Sequence, residues 1–414
     1  MENTVRHSPL EGLRVIELGN YIAAPTAGRM LADFGAEVIK IERPDDGDEL
    51  RRWRLYEGTT SMLFRTINRN KKSVVADLKS PQGRELVLDL IRDADVLIEN
   101  FRPGKLDEWG LGPAALDEVN PDLIVARISA FGQTGPMSAR PGFAAIAEAY
   151  GGFRELVGDP DRPPVRVGVS IGDTIAGMHA AYGAMMLLYR RAMDHHMGHG
   201  PRPLSERSVD VALNEATLSV MESLIPDFGA YGVIRTRTGG RMQGAAPSNA
   251  YICGDDRSVV IAGNSNRIFQ RLMTAIGRHD LADDPELQDN PGRWERRDEL
   301  DKAIGDWCAQ HGSRNVVASL EAVGVPVGLI FRADDLVADD QLNARGMIQK
   351  LDVSTGDHDL PDVPFPGVVP VLDETSEPIR NLGPDLGEDT EDVLSRVAGW
   401  DDDQIRGYLQ EALR

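Results

Sequence analysis

The sequence predicts an α/β fold with a parallel sheet, joined to a smaller α+β domain. Two observations carry this. Short apolar, β-branched runs alternate with helical patterns from residue 13 to residue 128, as strands and covering helices of a parallel sheet do. From about residue 230 the texture changes to a Gly-rich loop, 236–248 (TRTGGRMQGAAPS), followed by a mixture of strand and helix signals. The predicted organisation is 1–229 for the first part of the large domain, 230–330 for the small domain, and 331–414 for the return to the large one.

Residues 13–18 (LRVIEL) run into Gly19-Asn20, a strand entering a turn. Pro25 marks a helix start, with a helical pattern over 26–33 that ends near Gly35. Residues 37–42 (EVIKIE) and 72–78 (KSVVADL) are the second and third strands, and Ser80-Pro81 opens a helix. Residues 94–99 (ADVLIE) and 122–128 (DLIVARI) are further strands. The uncharged apolar run 174–189 reads as a helix buried in protein, since a membrane span needs roughly 18–20 residues. Beyond a polar break at 198–207, residues 209–223 read as helical. In the small domain 257–262 is a strand and 268–276 and 297–310 are helices. Residues 360–370 read as extended, and 390–397 and 402–413 as surface helices.

With 45 Lys+Arg against 66 Asp+Glu, the 414-residue chain carries a formal charge of −21. That balance argues against nucleic acid or an anionic membrane as partner. A phosphate-bearing ligand then needs a local basic patch. Two cysteines, Cys253 and Cys308, are too few for a disulfide framework and lack metal-ligand spacing. No signal core is visible in residues 1–14, so the expected location is cytoplasmic.

The first strand–turn–helix lacks G-x-G-x-x-G, and its loop Gly19-Asn20-Tyr21-Ile22-Ala23-Ala24-Pro25 is apolar where a dinucleotide wants glycines. Gly168-Val169-Ser170-Ile171-Gly172 fits G-x-S-x-G without a partner histidine nearby. His195, His196 and His199 read as a solvated loop without metal partners. Asp173, between Gly172 and the long apolar helix, has two compatible readings. It is an N-cap, or it is a carboxylate kept ionised by the helix dipole and able to act as a nucleophile. Lys40 and Arg43 close the second strand, Arg69, Lys71, Lys72 and Lys79 flank the third, and Arg102 and Lys105 follow the fourth. Loops after parallel strands share one edge, where ligands bind. Residues 43, 79, 102 and 105 therefore either converge on one anion or remain scattered solvated charges.

Taken together, Leu10-Glu11-Gly12-Leu13-Arg14-Val15-Ile16-Glu17-Leu18, Gly35-Ala36-Glu37-Val38-Ile39-Lys40-Ile41-Glu42-Arg43, Asn70-Lys71-Lys72-Ser73, Glu99-Asn100-Phe101-Arg102-Pro103-Gly104, Phe131-Gly132-Gln133-Thr134-Gly135-Pro136 and Gly172-Asp173 resemble the class III CoA-transferases. That superfamily includes formyl-CoA and carnitine CoA-transferases and the α-methylacyl-CoA racemases. The resemblance continues through Glu321-Ala322-Val323-Gly324-Val325-Pro326 and Leu382-Gly383-Pro384-Asp385-Leu386-Gly387-Glu388.

The resemblance implies a Rossmann-like large domain built from both chain ends and two subunits interlocked like links. It implies a CoA thioester as substrate rather than a tightly bound cofactor, and no metal. Asp173 matches the aspartate that attacks the acyl-CoA, passing through an aspartyl–acyl anhydride and an aspartyl-CoA thioester. Tyr21, Ile22 and Ala23 match the loop near the thiol and acyl group. Arg43 matches a CoA-phosphate contact, Leu78 and Lys79 the adenine side, and Asn100 and Phe101 the strand end over the nucleotide, with Arg102 and Lys105 beside them. Glu108 stands where the family carries a basic residue, and Lys105 is its expected substitute. The racemases' histidine position holds Phe143, which moves no proton. The acceptor loop 20–24 and Gly239-Gly240 depart from the oxalate-specific pattern. The expected reaction is thus CoA transfer to a carboxylic acid, a dicarboxylate among the candidates. The alternatives are racemisation of an α-methylacyl-CoA and a non-catalytic CoA-binding homologue.

Overall fold

A computed structural model describes residues 7–58 and 60–412. The chain divides into two compact units. The larger takes residues up to Phe153, Val167–Ser223 and everything from Asp340, and the smaller takes Arg154–Arg166 and Leu224–Asp339. Nothing in the composition of 154–166 marks that segment as part of the smaller unit.

The larger unit is built on six parallel strands: β1 (Arg14–Glu17), β2 (Glu37–Glu42), β3 (Lys71–Val75), β4 (Val96–Glu99), β5 (Ile124–Ser129) and β6 (Ser208–Ala212). Their order across the sheet is β3-β2-β1-β4-β5-β6. The helices that position the site are α1 (Ala23–Asp33), α2 (Pro81–Ile91), α3 (Ala144–Tyr150) and α4 (Ile171–His196). Successive strand residues face opposite sides, and both sides are covered. Val15, Val38, Val96, Ile98 and Ala126 pack under α1 and α4, whereas Ile16, Ile39, Leu97 and Val125 pack with Leu86 and Leu90 of α2. Burial on both faces is why these strands read as continuous apolar runs.

Three differences from the sequence reading have physical causes. Residues 208–212 are the sixth strand, with a helix only from Leu213 to Leu218. Val209 and Val211 alternate with polar residues at period two, a strand signal that the apolar count of a longer helical window hides. α1 begins at Ala23, which places Pro25 in its first turn, where no intrahelical N–H is needed. The C-terminal helices Thr390–Arg396 and Asp402–Ala412 are not purely superficial. Val393, Leu394, Ile405 and Tyr408 join the α2-side core, and Tyr408 Oη donates to Val75 O at 2.9 Å.

The smaller unit holds an antiparallel sheet, with Ser258–Ala262 between Ser248–Ile252 and Val327–Leu329. Helices Asn266–Ala275 and Arg297–Cys308 close over it through Phe269, Leu272, Leu300 and Ile304. Cys253 and Cys308 are free and buried there, and burial pushes the Cys308 thiol up to about 12. Among the described residues no helix is long and apolar enough to cross a membrane.

Candidate active site

From β1 the chain winds to one side of the sheet through β2 and β3. From β4 it winds to the other through β5 and β6. The loops leaving the C-terminal ends of β1 and β4 therefore diverge from neighbouring strands, and such a switch point opens a crevice. The crevice walls are tied together. Asn100 Oδ1 accepts from Asn20 N at 3.0 Å, and Asn100 Nδ2 donates to Asn20 O at 2.8 Å.

The loop between β1 and α1 has an unusual backbone. Tyr21 sits at φ +63°, a left-handed conformation that is uncommon for a bulky residue and costs about 1 kcal/mol or more. Its amide donates to Asp48 Oδ1 at 3.0 Å. Its ring meets Trp53 edge-on with centroids 5.6 Å apart, and Phe143 at 6.2 Å. Burial, together with Glu49 and Asp48, raises the Tyr21 phenol above its ordinary range, so it stays protonated at neutral pH. Phe143, 70% exposed, leads into α3.

Asp173 lies in the first turn of α4. The N-cap position belongs to Ser170, whose side chain makes no capping bond, so the N-cap reading of Asp173 is corrected to the third helical residue. There its carboxylate adds to the favourable charge–dipole interaction of a helix start. One residue earlier, Gly172 N donates to Glu148 Oε1 at 3.3 Å, and the Glu148 side chain on α3 is buried. Gly177 sets the height of α4 against α1. A Cβ at that position would stand 2.6 Å from Ala23 O, so only glycine permits this approach. Residues four apart share a helix face. Asp173, one turn before Gly177, therefore lies on the face of α4 that meets α1 at Gly177. Ser170 is buried and extends no nucleophile elbow, because residues 164–169 form no strand leading into it.

The cations separate into two groups. Lys40, Arg69 and Lys71 are buried and paired, which removes them from the candidate phosphate patch. Lys40 Nζ meets Glu17 Oε1 at 3.1 Å and Asp48 Oδ2 at 2.9 Å, and Lys71 Nζ meets Glu17 Oε2 at 2.7 Å. Arg69 forks onto Asp33 at 2.9 and 2.8 Å. Burial pulls the Lys71 ammonium down to about 8 against the attraction of Glu17. For Lys40 burial is outweighed by Asp48, Glu17 and Glu42, which hold it charged. Lys72 is drawn to Asp392 at 2.8 Å.

Arg43, Lys79 and Arg102 remain on loops past the C-terminal ends of β2, β3 and β4, and Lys105 opens a short helix, Lys105–Glu108, beyond β4. Arg43 bonds Gly47 O and Glu49 Oε1, both at 2.9 Å, and its side chain is half exposed. Lys79 and Arg102 are exposed. Lys105 pairs with Glu108 at 2.5 Å, both side chains partly exposed. Leu78 packs on the α2-side core, and Phe101 stacks edge-on against Trp109 at 4.9 Å. Beneath Phe101, Glu99 Oε2 accepts its amide at 2.7 Å. Burial pushes the Glu99 carboxyl up to about 7, against the pull of that amide and of Arg127. His195 and His196 end α4 rather than lie in a loop, and His195 faces Asp122 at 3.5 Å.

Asp48, Trp53 and Glu148 escape the sequence reading. Asp48 hides in the acidic run DDGDE, and Glu148 in an alanine-rich helix.

The model of CoA-transferase family III matches residues 10–390. A succinyl-CoA–D-citramalate CoA-transferase of Chloroflexus aurantiacus is 40% identical over 399 residues, covering 96% of each chain. The beta subunit of a succinyl-CoA–L-malate CoA-transferase of the same organism is 36% identical over 413 residues, 98% of each chain. A crystal structure of a CaiB/BaiF family protein from Brucella suis superposes with a TM-score of 0.82 at 30% identity, over 95% of this chain and 100% of that one. The chain belongs to CoA-transferase family III.

Proposed function

We propose that the protein transfers CoA from succinyl-CoA to a free dicarboxylic acid, with a short 2-hydroxy dicarboxylate such as citramalate or malate as acceptor. The observation that carries this is Asp173, a carboxylate in the first turn of α4 on the helix face that Gly177 brings against α1. The names of the similar Chloroflexus transferases supply the donor and acceptor class.

The reaction runs in four balanced steps. The Asp173 carboxylate attacks the thioester carbonyl, and the C–S bond breaks to give a mixed anhydride and CoA thiolate. The thiolate attacks the aspartyl carbonyl, releasing succinate and leaving Asp173 as a CoA thioester. The acceptor carboxylate attacks that thioester, forming a second anhydride and freeing the thiolate again. The thiolate then attacks the acceptor's acyl carbonyl, and Asp173 returns as a carboxylate. Each intermediate is covalent, the usual way of dividing one difficult acyl transfer into easier ones. No proton is moved at the α-carbon, in keeping with phenylalanine at 143. CoA lies against the 20–23 loop, with Asn100 and Phe101 alongside. Arg43, Lys79, Arg102 and Lys105 supply the positive edge for its phosphates, and Leu78 an apolar contact for the base.

The functional unit is an interlocked dimer. Met178, Tyr182, Met186, Tyr189 and Met193 are exposed along α4 at helical spacing, with Met197 exposed at its C-cap, an apolar stripe of the kind that a subunit interface buries. Sedimentation at micromolar concentration is expected to give twice the chain mass.

The deciding experiment incubates the enzyme with succinyl-CoA, quenches with hydroxylamine or borohydride, and maps the adduct by mass spectrometry. A modified Asp173, together with a loss of roughly 10³-fold or more in turnover on Asp173→Ala, supports the mechanism. An unmodified Asp173 with the alanine variant fully active defeats it. Competition among D-citramalate, L-malate and glutarate ranks the acceptor.

A further inference from the structure

Beneath the 19–22 loop and the first turn of α1 lies a buried ionic lattice that the reaction itself does not consume. Glu17 closes β1 and is in register with Lys40 on β2. Both face α1, and Gly28 of α1 makes room for the pair, since a Cβ there would overlap Glu17 Oε2. Glu17 bridges Lys40 and Lys71, and Lys40 also holds Asp48. All four side chains are within 1% of complete burial. Such groups are expensive to bury, and hydrophobic replacements often stabilise a fold equally well. Their remaining hydrogen bonds identify what they hold.

Three of the four charges spend a bond on the backbone between Gly19 and Pro25. Lys40 Nζ donates to Gly19 O at 2.6 Å, Asp48 Oδ1 accepts from Tyr21 N at 3.0 Å, and Lys71 Nζ donates to Pro25 O at 2.8 Å. Asp48 is anchored in turn, its own amide donating to Glu42 Oε2 at 3.0 Å. Glu42 is pinned by Arg51 at 2.7 and 2.8 Å and by Ser73 at 2.6 Å. The bond to Tyr21 lands on the residue whose backbone is left-handed. A strained conformation persists only where its surroundings over-determine it, and here three buried charges do so.

We propose that Asp48 is a positioning residue for acyl-CoA: held by Lys40, it fixes Tyr21 in the left-handed conformation and so fixes the path of the loop that meets the thioester. The proposal rests on the CoA-transferase reading, and its test separates the two. Asp48→Ala removes the acceptor. Asp48→Ser keeps a side-chain cap for Leu50 N, which Asp48 Oδ1 also accepts at 2.9 Å, and serves where the alanine variant does not fold. Each is combined with Tyr21→Gly, because glycine adopts positive φ without strain.

Three quantities are read: CoA affinity by calorimetry, kcat/KM, and amide exchange of the peptide spanning 18–26. With Tyr21 in place, loss of Asp48 is expected to speed exchange in that peptide about tenfold or more. It is also expected to weaken CoA binding and kcat/KM by roughly 10- to 100-fold. In the Tyr21→Gly background the same substitution is expected to cost less than about threefold. Equal losses in both backgrounds, or no change in loop exchange, overturn the proposal. Should the wild-type protein bind CoA without transferring it, the transferase reading fails while the affinity cycle still decides the role of Asp48. Should it not bind CoA at all, the exchange cycle alone decides whether Asp48 holds the loop.

Discussion

Lys40 and Arg43 are close neighbours at one end of the sheet and live under opposite rules. Lys40 points toward α1, is sealed from water and spends its charge on Glu17, Asp48 and a backbone carbonyl. Arg43, just past the strand, is half exposed and only lightly tethered to Glu49. The same division separates Lys71 from Lys79. Cations of identical formal charge thus do two jobs in one short stretch. The inner ones determine backbone geometry at the crevice, and the outer ones give the crevice its attraction for anions. Net charge and residue counting cannot distinguish them, because the difference is one of strand parity and burial.

The sharpest way to break this contrast is Lys71→Met. It strands Glu17 in the core with one counter-ion fewer, and removal of one partner of a buried pair costs about 3–5 kcal/mol. Chemical denaturation is expected to register that loss, and Glu17→Gln added to it is expected to recover much of it, since neighbouring charges couple. An equally stable Lys71→Met protein would show that the inner group is incidental.

Glu99 offers a second test, this one without a firm ion pair, because Arg127 stands 3.9 Å away. Its carboxyl rises from 4.5 to about 7 in the folded chain. Between those values the unfolded chain has already released the proton that the folded chain retains. Rising pH therefore favours unfolding across that window, and the penalty is complete above about 7. Glu99→Gln removes it. The variant is expected to match wild type near about pH 4.5 and to exceed it at about pH 8 by at most about 3 kcal/mol, read from denaturation at both values.

The smallest effects on stability belong to the outer group. Arg43→Ala and Arg102→Ala are each expected to shift stability by less than about 1 kcal/mol. They are expected to raise KM for the acyl-CoA several-fold in dilute buffer, with the difference narrowing at high salt as screening shortens the reach of surface charge. A salt-independent KM effect would move these residues into the inner class.

Much of the frame was legible because it depends on local pattern. The β-branched runs at 37–42 and 94–99, Pro81 at a helix start and the long apolar stretch around α4 each announce themselves. Asp173 was legible by its place ahead of that stretch, although its position within the first turn needed the structure. What escaped is set by distant partners. Ser208–Ala212 becomes a strand because β5 waits far upstream to pair Ser129 with Ala212 and because Val209 fills the space left by Gly183. Lys40 and Lys71 are among the residue types least often buried, so their burial was invisible until Glu17 and Asp48 were seen beside them. Asp48 itself lay in an acidic run that resembles any solvated loop.

The division of the chain also bears on how it is made. The smaller unit has all its residues, 154–166 and 224–339, once residue 339 has been synthesised. The larger does not. Arg51 waits for Pro384 O, Asn70 for the backbone of Arg380 and Asn381, and Val75 O for Tyr408. Domains made first tend to fold first on the ribosome. Here the middle of the gene can settle while its opening strands remain unfinished, so the larger unit, which carries the crevice, is the last to be completed.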